Sequence, residues 1–333
     1  TVLTLEDRPA VIEDYLDGKV DVPYATDDAI GRVISYPQGL ENYLDWIVEE
    51  YPLDLSGMKI AMDCANGSSS FTAERTLKRL GAEVTVFNAQ PDGININSHC
   101  GSTHPEDFIS FMKEHEGEYD LGLTFDGDAD RQIPIAPDGR QVDGDYMLYI
   151  LGKYYRDAGV LEGNTVVTTV MANLGLWKAM EREGIHVEKT DVGDKYVYDM
   201  MCRKGYIVGG EQSGHIILKR HATTGDGLMT ALSILKVMKV SGKSVQELME
   251  GLKIYPQLLV NVRVTDKTKV MDDPQVKAAV SDVDVQLHGN GRVLVRPSGT
   301  EPLLRVMAEA ETDEICHEVC HRIADLIQEK YGA

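Results

Sequence analysis

The chain has 333 residues, 43% hydrophobic and 26% charged, an ordinary globular composition that excludes collagen-like, coiled-coil or wholly disordered character and suggests about two domains. Lysine and arginine total 33 against 54 acidic residues, a net charge of −21. That balance repels phosphate backbones and anionic bilayers, so neither a nucleic acid nor a membrane is expected as a partner.

No apolar run of transmembrane length is present. The start, Thr1-Val2-Leu3-Thr4-Leu5-Glu6-Asp7, lacks a basic segment followed by an apolar one, so no signal peptide is expected. The missing initiator Met suggests processing or truncation. Five irregularly spaced cysteines point to reduced thiols and a cytoplasmic location rather than a disulfide framework.

Residues 1–50 read as helical, with one apolar stripe of Val11, Ile12, Tyr15 and Leu16 and another of Leu40, Tyr43, Leu44, Trp46, Ile47 and Tyr51. A strand is predicted at 58–63, a helix through Phe71, Leu77 and Leu80 closed by Gly81, and strands at 83–87 and 120–125 with a helix near 105–115 between them. The pattern returns with a strand at 165–170, a helix at 173–182 and a strand at 186–190. Leu55-Ser56-Gly57 and Leu161-Glu162-Gly163 precede the two leading strands at an offset of 106 residues. Strands alternating with helices indicate parallel α/β sheets, and the offset indicates a repeat. Further strands are predicted at 206–208 and 216–218. The last part differs: strand 258–264, a helix carrying Val270, Val276 and Val280, strands 292–296 and 303–308, and a terminal helix with Ile315, Val319, Ile323 and Ile327. The expected fold class is therefore α/β, with two tandem similar domains of mainly parallel sheet plus a small C-terminal α+β domain. The boundaries are expected at 1–37, 38–157, 158–256 and 257–333, with Pro256 at the last junction.

Three loops carry chemistry. Phe125-Asp126-Gly127-Asp128-Ala129-Asp130-Arg131 places three alternating carboxylates at the end of an apolar strand. Alternate residues of extended backbone share a side, so all three can converge on a hard cation. An EF-hand is excluded, because Arg131 and Pro137 occupy the positions that need Gly and Glu; a solvated acidic turn is the plainer alternative. Gly209-Gly210-Glu211-Gln212-Ser213-Gly214-His215 lies between two apolar strands, and Glu211 and Ser213 can face one ligand; a hairpin with a polar turn explains the pattern equally. Arg296-Pro297-Ser298-Gly299-Thr300-Glu301-Pro302, with Arg305, combines hydroxyls, loop N–H groups and guanidinium forks suited to phosphate, against the alternative of a strand-connecting loop.

Other segments are weaker. Thr190-Asp191-Val192-Gly193-Asp194-Lys195 opens a helix and offers Lys195 as a cation, although Asp194 reads first as a helix cap. Cys316-His317-Glu318-Val319-Cys320-His321 has zinc-like spacing, but its cysteines flank the apolar stripe and read as half-buried thiols. His104 is a loop histidine for which a helix-capping or packing role stands beside a catalytic one.

In this order the three loops resemble the α-D-phosphohexomutase superfamily, and within it the bacterial phosphoglucosamine mutase family. Cys64-Ala65-Asn66-Gly67, Cys100-Gly101-Ser102-Thr103-His104-Pro105, Gly144-Asp145 and Thr223-Thr224-Gly225-Asp226-Gly227 are similar to stretches of that family, and the likeness runs from about residue 5 to 330. It implies Mg²⁺ on Asp126, Asp128 and Asp130, with Arg131 supporting the transferring phosphoryl group. It implies a hexosamine phosphate held by Glu211, Ser213, His215, Lys195, Asp191 and Gly193, with its non-reacting phosphate on Arg296, Ser298, Gly299, Thr300 and Arg305. A homodimer is among the assemblies open to such an enzyme. Ala129 stands where Gly is usual, and Lys195 where Arg is usual. No stretch resembles the family's Thr-Ala-Ser-His-Asn-like loop with its catalytic serine. The chain thus reads as the second to fourth domains plus a helical remnant, inactive alone, with water in place of the phosphoserine oxygen at the metal. The alternatives are a phosphoglucomutase or phosphomannomutase, a non-catalytic sugar-phosphate binder, or a Mg²⁺ phosphatase with an aspartate nucleophile.

Overall fold

A computed structural model describes residues 7–21, 24–298 and 301–332. Residues up to Tyr43 form one compact unit and Leu44–Ala333 a second. The first contains α1 (Asp7–Leu16), on which Ile12 and Leu16 stay 59% and 76% exposed. The expected apolar stripe is therefore not buried there. In α2 (Gln38–Glu50), Leu44 and Ile47 are fully buried, as the 3.6-residue apolar period requires.

Among the described residues of the second unit the strands form three sheets. The first runs β2 (Glu83–Phe87), β1 (Lys59–Asp63), β3 (Leu121–Phe125), β4 (Gln132–Ile135), with β2 and β3 parallel to β1 and β4 antiparallel to β3. The second repeats that order as β6 (His186–Thr190), β5 (Thr165–Thr169), β7 (Val208–Gly210), β8 (Ile216–Leu218), with the same directions. β1 and β5 start 165 − 59 = 106 residues apart, the offset of the sequence repeat. Every residue of β3 and β5 is buried, as expected for central strands covered on both faces. Helices α5 (Gly144–Asp157) and α8 (Gly227–Ser241) pack on each other. Each is capped by the aspartate before it: Asp143 accepts from the N–H groups of Asp145 and Tyr146, and Asp226 from that of Met229.

The third sheet is antiparallel, in the order β10 (Arg292–Pro297), β11 (Leu303–Glu309), β9 (Gln257–Arg263). The single helix expected before β10 is two, α10 (Lys267–Asp272) and α11 (Pro274–Gln286). Pro274 cannot continue the first, and Asp273 caps the second. In α12 (Asp313–Tyr331) Cys316 and Cys320 face the core, donating to the carbonyls of Ala308 and Val306, while His317 and His321 lie outside it. The thiol reading of these cysteines stands, and they are buried rather than half-buried. No helix of the described residues is long and apolar enough to cross a membrane.

Candidate active site

Both α/β sheets place candidate loops at the carboxyl ends of parallel strands, where chain reversal exposes backbone groups. The acidic loop follows β3 directly. Its turn closes through the Ala129 N–H on the Asp126 carbonyl (3.1 Å) and the Arg131 N–H on Asp126 Oδ1 (3.2 Å). Ala129 adopts φ +58°, the left-handed region that favours glycine. Burial pushes the Asp126 carboxyl up to about 6, with the Asp130 carboxylate beside it acting in the same direction. Asp128 is exposed, and its carbonyl accepts the Ser68 hydroxyl at 2.8 Å. The structure thus brings Asp126 and Asp130 together and leaves Asp128 apart. Among the described residues no three His, Cys, Asp or Glu side chains are gathered as a ready metal cage.

His215 ties this loop to the second sheet. Its ring is 2% exposed. The Gly225 N–H donates to Nε2 at 3.1 Å, which leaves Nδ1 as the protonated nitrogen, and Nδ1 lies 3.2 Å from Asp130 Oδ2. Asp194 Oδ2 is 3.9 Å from Nε2. Backbone bonds run alongside: Gly227 N–H to the Ala129 carbonyl at 2.8 Å and Gln132 N–H to the Gly214 carbonyl at 3.2 Å. A Cβ on Gly225 would come within 2.6 Å of the Asp130 carbonyl oxygen and 2.7 Å of the His215 ring. Glycine is therefore required for this approach.

In the Gly-rich loop after β7, Glu211 Oε1 accepts the Gly193 N–H at 3.0 Å, joining the segments after β6 and β7. Ser213, Asp191 and Lys195 are exposed. Gly193, at φ +133°, is the cap of α7 (Asp194–Lys204) and offers no side-chain bond. The capping role expected of Asp194 therefore fails, and the residue opens the helix instead. His104 is exposed, and Pro105 takes the cap position of α4 (Glu106–Glu114).

The third loop joins β10 to β11. Arg296 and Arg305 stand directly opposite in the strand register. Arg296 Nε is buried with no hydrogen-bond partner among the described residues. Burial, and then the facing Arg305, lower the Arg296 pKa. Ser298 is buried; its hydroxyl accepts the Glu301 N–H at 3.3 Å. Lys267 Nζ donates to the carbonyls of Ser298 (2.7 Å) and Glu301 (3.1 Å), holding the loop's shape. Sequence reasoning passed over Lys267, which sits in a helix with no motif of its own. Gly299 and Thr300 lie outside the described residues. Paired guanidinium groups with an orphan buried donor suit an anion.

Three family models match the chain in succession. Residues 39–139 match "Phosphoglucomutase/phosphomannomutase, alpha/beta/alpha domain II", residues 143–255 the corresponding domain III, and residues 259–326 the C-terminal domain. A phosphoglucosamine mutase of Geobacillus thermodenitrificans is 48% identical over 328 residues, covering 98% of this chain and 73% of the relative. That of Streptococcus agalactiae is 47% identical over 330 residues, with the same coverage. A solved phosphoglucomutase/phosphomannomutase family protein from Burkholderia thailandensis superposes with a TM-score of 0.77 at 20% identity, over 98% of this chain and 70% of its own. N-acetylphosphoglucosamine mutase of Aspergillus fumigatus, solved in complex with GlcNAc-6P and magnesium, gives 0.72 at 20% identity, over 87% of this chain and 66% of that one. At such identities these two structures speak for the fold.

Proposed function

The chain belongs to the phosphoglucosamine mutase family of phosphohexomutase enzymes, and from that premise we propose that it supplies the metal-, sugar- and phosphate-binding loops of an enzyme interconverting glucosamine 6-phosphate and glucosamine 1-phosphate. The observation that carries the reading is the His215 bridge, which joins the acidic loop after β3 to the loop between β7 and β8. Two loops with separate chemistry are thereby braced into one site.

The transfer would run from a phosphoserine of the family's serine loop to the sugar, through a bisphosphorylated intermediate, and back from the sugar's other end. Asp126 and Asp130, with Asp128 as the third oxygen donor, would hold Mg²⁺. The fit rests on hard oxygen donors and on a half-buried Asp126 whose burial and neighbouring Asp130 disfavour its charge in the absence of a cation. Mg²⁺ bound there neutralises charge on the transferring group. Exposed Arg131 supports the same group from the adjoining position. Glu211 keeps one oxygen on Gly193 N–H and turns the other to a sugar hydroxyl; Ser213 and Lys195 lie exposed beside it. Arg296 and Arg305 receive the non-reacting phosphate, which relieves their mutual repulsion and satisfies the orphan Nε. With no serine loop, the 333 residues alone bind substrate and do not turn it over.

A coupled assay on the full-length protein with glucosamine, glucose and mannose 6-phosphates tests the substrate. The highest kcat/KM is expected for glucosamine 6-phosphate; a higher value for either neutral sugar overturns the assignment.

A further inference from the structure

The strand pair carrying Arg296 and Arg305 is anchored at its other end. Side chains alternate along a strand, so 292, 294 and 296 share one face of the sheet with their cross-strand partners 309, 307 and 305. At that other end of the face, Arg292 meets Glu309 in a two-pronged pair: Nε to Oε2 at 2.6 Å and Nη2 to Oε1 at 3.0 Å. Glu309 is fully buried, and the Arg292 side chain is 13% exposed.

Neither partner ends with the other. Arg292 Nη1 donates to the Val170 carbonyl and Nη2 to the Ala172 carbonyl, both at 2.7 Å, and its guanidinium lies 4.0 Å over the Trp177 ring. Glu309 Oε2 accepts the N–H of Leu174 at 2.9 Å, the first residue of α6 (Leu174–Arg182). These contacts lie in the turn after β5 and the start of α6, at the sheet end that carries Gly193 and Glu211. A buried ion pair is expensive unless its remaining donors and acceptors are used. Gln257 of β9 donates to Glu309 Oε1 at 2.8 Å, and the other groups are spent on backbone that follows β5, which a pair serving only its own sheet would not need.

We propose that Arg292 and Glu309 are positioning residues that set the phosphate-binding guanidinium pair at a fixed place relative to the sugar loop. Arg296 lies four residues along β10, about 13 Å from the anchor at strand rise. The anchor therefore acts through register and not by touching substrate. This inference rests on the functional reading above. A phosphate alone uses only the guanidinium end, whereas glucosamine 6-phosphate must reach both loops at once and depends on their separation.

Titration calorimetry of the 333-residue chain with inorganic phosphate and with glucosamine 6-phosphate, both in Mg²⁺, separates the cases. In the double substitution Arg292→Met, Glu309→Met, which leaves no lone buried charge, the Kd for glucosamine 6-phosphate is expected to rise between about ten- and a hundredfold. The Kd for inorganic phosphate is expected to stay within about twofold, since the sites are too far apart to couple directly. Arg292→Lys keeps the charge but loses the fork; it is expected to show the same selective loss in smaller measure, and it serves if the double variant does not fold. Equal losses for both ligands, or no loss for the sugar phosphate, overturn the positioning role while leaving the functional reading intact. A wild-type chain that binds neither ligand overturns both.

Discussion

Replacing Arg296 by Met should stabilise the free chain and cripple its phosphate binding. In the free state Arg296 Nε is buried without a partner among the described residues, and an unsatisfied buried donor costs about 1–3 kcal/mol. Arg305 stands directly across the strands, and like charges so placed cost about 0.2–1 kcal/mol more. Met keeps most of the apolar stem, so the free variant should gain about 1–2 kcal/mol over wild type. With phosphate present the sign reverses. Charged hydrogen bonds contribute about 1.5–3 kcal/mol, which corresponds to a Kd weaker by about 10- to 150-fold. Urea unfolding followed by circular dichroism, with and without saturating inorganic phosphate, reads both effects. A free variant less stable than wild type, or one stabilised by phosphate as strongly as wild type, refutes the reasoning.

His215→Ala strands the buried Gly225 N–H and leaves Asp130 without its donor. A loss of about 2–4 kcal/mol in unfolding free energy is expected, and a loss below about 0.5 kcal/mol, the size of a neutral surface change, contradicts the bridge. Ala129→Gly relieves a left-handed residue at φ +58°; after the entropy of the unfolded glycine is counted, a gain of about 0.5–1 kcal/mol is expected in the same assay, and destabilisation contradicts the strain. Asp273 is held well below its ordinary 3.8 by Lys330 and then Tyr331. A depressed carboxyl contributes stability that is present above the unfolded value and lost as pH falls through the folded one. Wild type should therefore lose stability below pH 3.8 more steeply than Asp273→Asn, and parallel acid unfolding curves would sink the assignment.

The doubled α/β layout was legible because its period is long and its punctuation repeats. Gly57 and Gly163 both take positive φ ahead of the leading strands, and the strands they precede are buried along nearly their whole length. Strand β4 was not legible, since Pro134 lies inside it. The structure puts it at a sheet edge, where a residue without an N–H is tolerated. Helix α8 was passed over as well. It is buried on nearly every side, so it lacks the one-sided period that marks a helix. At the site, clustered Asp, Gly and Arg residues announced the three loops, because such residues are costly to place together without a task. The Arg292–Glu309 anchor left no local signal. Its members are 17 residues apart and acquire meaning only when β10 and β11 pair.

The proposed function requires that these 333 residues hold the sugar phosphate without converting it. Phosphorus NMR of the chain with glucosamine 6-phosphate and Mg²⁺ tests both halves in one sample. A shifted or broadened 6-phosphate resonance that Arg296→Met restores to its free position is expected, with no 1-phosphate signal growing in over time. An unperturbed 6-phosphate resonance with wild type, or accumulation of glucosamine 1-phosphate, would contradict it.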